Sequence, residues 1–86
     1  MPYSVETTET FERVFKKKHR DKAEWLKNIK ERLKDNPEYG KPLRGRLHGI
    51  WQIRIDPFRV WYEIDHMARK VTLKAIYHKD EAIKLY

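Results

Sequence analysis

The chain reads as an α+β domain: a short N-terminal strand and an antiparallel helical hairpin packed on one face of an antiparallel strand meander. Three observations lead there. Apolar residues recur at helical spacing between about residues 8 and 35. They alternate with period two in residues 50–65 and again in 70–78. Asn36-Pro37, Asp56-Pro57 and the stretch His66 to Arg69 punctuate these segments as turns or stops.

Tyr3 to Glu6 reads as the first strand. Thr7-Thr8 offers hydroxyls for an N-cap, and helix one runs from about residue 8 to 19, with Phe11, Val14 and Phe15 at helical spacing. Glu9 and Glu12 near its start and Lys16 to Lys18 near its end match the helix dipole. Asp21 with Glu24 resembles a capping box for helix two, which extends to about Asp35 and buries Trp25, Leu26, Ile29 and Leu33. Asn36-Pro37 stops it. The short connection predicts that the helices pair antiparallel. Residues 37–49, with Gly40, Pro42, Gly45 and Gly49, read as a loop.

The hairpin that follows has two unlike faces. Trp51, Ile53 and Ile55 alternate with Gln52, Arg54 and Asp56; beyond the turn, Val60, Tyr62 and Ile64 alternate with Arg59, Trp61 and Glu63. The turn pairs Arg54 either with Arg59 or with Trp61. Both registers leave the two arginines on one face. Like charges side by side across strands cost up to ~1 kcal/mol, a cost most readily tolerated where an anion sits between them. Lys70 to His78 forms the next strand, with Val71, Leu73, Ala75 and Tyr77 inward. Lys79 to Tyr86 is a short terminal helix or a tail.

Eighty-six residues make one domain with one compact core. There is no cysteine, so neither a disulfide nor a thiolate metal site is expected. No apolar run approaches the ~20 residues of a membrane span, and the N-terminus lacks the blocks of a signal peptide. A cytoplasmic location is expected, with no membrane partner. The net charge of +7 and pI near 9.7 draw in polyanions, either nucleic acid or an acidic protein. Lys16-Lys17-Lys18-His19-Arg20 and Lys41 to Arg46 are basic clusters.

The outer sheet face is expected to be basic, carrying Gln52, Arg54, Arg59, Trp61, Glu63, Thr72, Lys74, Ile76 and His78. Cations interleaved with an aromatic suit single-stranded RNA, which they hold by phosphate and by base stacking. A solvated sheet face also carries Arg and Thr; an exposed Trp61 favours a ligand. The histidines show no metal-ligand spacing. His19 and His66 read as solvent residues and His48 as a loop residue. His78 is either a surface residue or a proton carrier, since histidine as a type titrates near neutrality.

These residues resemble a family. Lys41-Pro42-Leu43-Arg44-Gly45-Arg46-Leu47, then Trp51-Gln52-Ile53-Arg54-Ile55, then Phe58-Arg59-Val60-Trp61-Tyr62, and finally Tyr77-His78-Lys79 follow the order found in the RelE/ParE superfamily of toxin–antitoxin toxins. The resemblance covers nearly the whole chain and implies a RelE-like fold. It also implies a ribosome-dependent mRNA endoribonuclease, in which a ribose 2′-OH attacks the adjacent phosphate without a metal or other cofactor. Arg54 then matches a catalytic basic residue, Arg59 the phosphate-binding arginine and Lys79 the arginine that stabilises the transition state. Gln52 stands where many relatives carry Lys or Arg. The family's late tyrosine has no clean counterpart: Ile83 has the spacing, and Tyr86 is the nearest tyrosine. An arginine is a poor base, so Arg54 is cast as a charge stabiliser. His78 and Lys74 are the candidate bases. Gln52, Trp61, Lys74, Arg44, Arg46 and Tyr86 are the candidate RNA contacts. The implied partners are mRNA in the ribosomal A site and an acidic, RelB-like antitoxin. Two other readings stay open: a ParE-like protein that poisons gyrase by binding it, and a noncatalytic RNA- or protein-binding module.

Overall fold

The structure is a computed structural model, and it describes residues 2–81. The chain begins with strand β1 (Ser4–Thr7) and turns directly into helix α1 (Glu9–Lys18). Thr8 caps the helix as its type favours: its hydroxyl accepts the Phe11 N–H at 3.1 Å. At the other end the His19 N–H closes on the Phe15 carbonyl. The expected capping box at the second helix is not made. Asp21 lies inside a 3-10 turn, Arg20–Lys22, and helix α2 (Ala23–Asp35) starts without a side-chain cap. The connection is so tight that the 3-10 turn itself orients the second helix. Asn36-Pro37 ends α2 as expected.

Among the described residues, five strands form one sheet in the order β1-β5-β4-β3-β2. Here β2 is Lys41–Pro42, β3 Trp51–Ile55, β4 Phe58–Asp65 and β5 Lys70–His78. Two expectations change. The segment read as a loop contributes β2, which pairs with β3 through Lys41 opposite Gln52 and Pro42 opposite Trp51. The sheet is mixed rather than antiparallel, because β1 runs parallel to β5. The helical hairpin carries the chain from β1 at one edge of the sheet to β2 at the other, and the meander β2 to β5 brings it back beside β1.

Helices α1 and α2 cover one sheet face. Phe11, Phe15, Leu26, Ile29 and Leu33 meet Ile53, Val60, Tyr62, Val71, Leu73 and Ile76 in one core. Full burial of such a side chain is worth roughly 1.5–3 kcal/mol over exposure. His19, expected in solvent, is only 5% exposed. Its ring stands edge-on to Phe58 at 5.1 Å and beside Phe15 at 6.4 Å. Neither ring nitrogen has a hydrogen-bond partner among the described residues. Burial, followed by the nearby Lys22 ammonium, holds its pKa below the usual histidine range.

The parity of β5 also differs from the expected one. A bulge falls where Trp61 opposes Ala75 but Tyr62 opposes Leu73, leaving Lys74 as the extra residue. Beyond it the faces exchange. Ile76 enters the core, whereas Ala75 and Tyr77 join the outer face. His78 pairs with Phe58 and packs edge-on against its ring at 5.8 Å, on the helix side.

Candidate functional site

The outer face is built on β3, β4 and β5. Arg54 stands directly opposite Arg59, which in turn stands opposite Tyr77. The register is therefore the tighter of the two that the sequence allowed. The arginines differ in environment. Arg54 is exposed and forms no ion pair among the described residues. The Arg59 side chain is only 12% exposed; its Nη1 donates to Asp56 Oδ1 at 3.1 Å and to the Phe58 carbonyl at 3.0 Å. Asp56, the first residue of the hairpin turn, pairs with Arg59 and offsets part of its charge, a role that spacing alone does not assign.

Lys79 lies at this same end. Its N–H donates to the Pro57 carbonyl at 2.8 Å, tying the end of β5 to the turn between β3 and β4. Arg54, Arg59 and Lys79 thus converge on one corner of the sheet. Lys74 sits further along β5 and pairs with Glu63 at 3.4 Å on the exposed surface, a contact worth at most ~1 kcal/mol. Arg44 and Arg46 are exposed on the segment after β2. Gly45 and Gly49 have positive φ there, the left-handed conformation in which glycine costs least. Tyr86, like Ile83, lies outside the described residues.

Two expected site residues differ from expectation, Trp61 in its exposure and His78 in its face. Trp61 is not an exposed stacking platform: it is 9% exposed, and its Nε1 donates to Gln52 Oε1 at 2.9 Å. His78 stands next to the Arg59–Tyr77 pair but on the opposite face, because the bulge further along β5 reverses the parity of the strand. Its Nδ1 accepts the Asp80 N–H at 3.1 Å, and its side chain is 35% exposed at the end of the strand. Tyr77 takes the place on the outer face that His78 was expected to hold. It donates to Gln52 Oε1 at 3.0 Å and stands edge-on to Trp61 at 5.3 Å. The run Ala75-Ile76-Tyr77, three apolar residues that break the alternation, is the signal by which this exchange could have been read.

The open edge of the face is a groove of about 710 Å³ between β2 and β3, lined by Tyr39, Gly40, Lys41, Gln52, Arg54 and Asp56. Tyr62 fixes its wall from within the core. Its hydroxyl donates to the Pro37 carbonyl at 2.8 Å and accepts the Gly40 N–H at 2.9 Å. Burial pushes the Tyr62 phenol up to about 12, so it stays a neutral latch. Glycine is required at position 40 because a Cβ there would lie 2.5 Å from the Gln52 carbonyl oxygen. Among the described residues, no three His, Cys, Asp or Glu side chains gather where they could hold a metal ion. No helix among them is long and apolar enough to cross a membrane.

Arg54 and Arg59 face each other across β3 and β4, and the backbone of Lys79 is tied in beside them. Comparisons with known proteins agree with that architecture. Residues 5–83 match the family model described as the ParE toxin of the type II toxin-antitoxin system, parDE. The chain is similar to a protein in the toxin–antitoxin complex RelBE2 of Mycobacterium tuberculosis, with 31% identity, 91% and 92% of the two chains covered, and a TM-score of 0.79. It shares its fold with a mutant of the E. coli toxin RelE in the free state, with 21% identity, 100% and 92% covered, and a TM-score of 0.77. The same holds for the RelB-RelE antitoxin-toxin complex of Methanococcus jannaschii, with 16% identity, 93% and 96% covered, and a TM-score of 0.72. A comparison with curated proteins finds no match. The chain therefore belongs to the RelE/ParE superfamily and is a toxin of a type II toxin–antitoxin system.

Proposed function

We propose that this toxin is a ribosome-dependent endoribonuclease that cuts mRNA in the A site by attack of a ribose 2′-oxygen on the adjacent phosphate. The observation that carries this reading is the pairing of Arg54 with Arg59 beside Lys79 at one corner of the sheet. In the reaction the 2′-O–P bond forms and the P–O5′ bond breaks. The 2′ proton leaves and the departing 5′-oxygen gains one. Arg54 and Lys79 stabilise the charge developing on the phosphate, while Arg59, steadied by Asp56, holds it in place. Removing one preorganised donor of this kind typically costs ~3–4 kcal/mol of barrier.

His78 can serve the leaving group only as an imidazolium, which would protonate the departing 5′-oxygen from Nε2; forming it displaces the Asp80 N–H that Nδ1 accepts. Lys74 is the candidate for the opposite step, with Glu63 beside it. Arg44, Arg46, Gln52 and Trp61 contribute contacts to the strand or their support. The partner that restrains the toxin is a small acidic antitoxin, which complements the +7 charge and covers the arginine corner. Co-expression with a neighbouring acidic protein should yield a complex at low salt; recovery of free toxin alone would count against it.

A second reading has one observation in its favour, the family model's own description as a ParE toxin. In that reading the protein binds gyrase and cuts nothing. One paired assay separates the two. Expression in cells with mapping of mRNA 5′ ends should show cuts within codons during translation, and purified gyrase should show no trapped DNA breaks. Arg54→Ala should abolish the cuts with little change in stability, since exposed substitutions usually shift it by less than ~0.5 kcal/mol. Intact mRNA together with gyrase-linked breaks would reverse the assignment.

A further inference from the structure

Gln52 looks like a poor replacement for a cation, yet its surroundings give it a different capability. Its Oε1 accepts two hydrogen bonds, from Trp61 Nε1 at 2.9 Å and from Tyr77 OH at 3.0 Å. The two ends of an amide are told apart by their partners, and an indole N–H can only donate. The atom facing Trp61 is therefore the oxygen. Two donors occupy both of its lone pairs, so Oε1 has no accepting capacity left. Trp61 and Tyr77 are themselves held, edge-on to each other and both buried. The amide cannot flip without breaking both bonds. Its Nε2H2 group is the other end of the amide from the oxygen that Trp61 and Tyr77 hold, and Gln52 lines the groove between β2 and β3. Arg54 lines the same groove, two residues along the strand and so about 6.6 Å away.

We propose that Gln52 is a base-reading residue: a donor-only amide that selects guanine over adenine at a nucleotide whose phosphate rests on Arg54. The inference rests on the endoribonuclease reading above. A glutamine that is free to turn pairs with adenine through one donor and one acceptor, to N7 and N6. Gln52 lacks that option, because its acceptor is engaged by Trp61 and Tyr77. Adenine's N6 amino group would meet a second donor with nothing to accept it. Guanine presents O6 and N7, both acceptors, to the same two protons.

The test uses ribosomes stalled with an open A site on mRNAs that carry guanosine, inosine or adenosine at each codon position in turn. Inosine keeps O6 and N7 but lacks the 2-amino group. At one position the wild-type toxin should cut guanosine and inosine about tenfold faster than adenosine. Gln52→Glu keeps one oxygen for Trp61 and Tyr77 and turns the other into an acceptor. Its overall rate should fall, and its preference should turn towards adenosine. Tyr77→Phe removes one of the two bonds that fix the amide, so discrimination should shrink, a change that loss of stability alone does not produce. Equal cutting of all three bases by the wild type at every position overturns the inference, as does a guanosine preference retained in Gln52→Glu. Those outcomes leave the endoribonuclease reading standing. A wild-type toxin that cuts none of the complexes overturns both.

Discussion

His19 shows how one residue's surroundings decide its chemistry. Sequence places it at a helix end among lysines, which reads as solvent, and the fold turns it under Phe58. Burial favours its neutral form in the folded chain, so its pKa lies below the ordinary histidine value of 6.5. The unfolded chain then binds the proton more readily, and stability rises with pH across this window. His19 accordingly contributes stability that is present above about pH 6.5 and lost as pH falls through the folded-state pKa. Thermal unfolding of the wild type should shift downward between pH 7.5 and 5.5, and His19→Leu should flatten that shift. An identical pH dependence in the variant would show that another group is responsible. Arg54 and Arg59, by contrast, were legible as a pair from alternation alone. What sequence could not show was the difference between them. That difference comes from Asp56, whose reach back to Arg59 depends on the shape of the turn rather than on spacing.

At the scale of elements, helical periodicity placed α1 and α2 within a residue or two, because each buries one continuous stripe against the sheet. The β3–β4 hairpin was legible for the same reason, with period two in place of 3.6. The sequence reading failed where pairing is set by partners rather than by pattern. β2 is only two residues long and carries no alternation; it exists because Gly40 lets the chain approach β3 and Tyr62 latches it there. The bulge in β5 adds one residue and reverses the parity of every residue after it, moving Tyr77 out and His78 in. Gly40→Ala probes the latch. Its Cβ must displace the Gln52 backbone, which should destabilise the fold by roughly 1–3 kcal/mol in urea unfolding. Base discrimination in the stalled-ribosome assay should weaken as well. An unchanged unfolding midpoint would mean that β2 is not held against β3 as described.

The whole molecule separates two jobs. One sheet face and two helices supply a core that contains Tyr62, Leu33 and Val71 at full burial. The opposite face carries the charged corner, and the +7 balance draws polyanions towards it. Membership in the toxin superfamily follows from the fold and the family match together. The proposed chemistry rests on the side chains that the strands bring to one corner. The most direct test of that chemistry is a single-turnover reaction on stalled ribosomes whose mRNA carries one 2′-deoxy nucleotide at the cut site. The account predicts that ribose at this position is cut to a 2′,3′-cyclic phosphate and a 5′-hydroxyl, and that the deoxy substrate is left whole. Cleavage of the deoxy substrate, or a product bearing a 5′-phosphate, would contradict it.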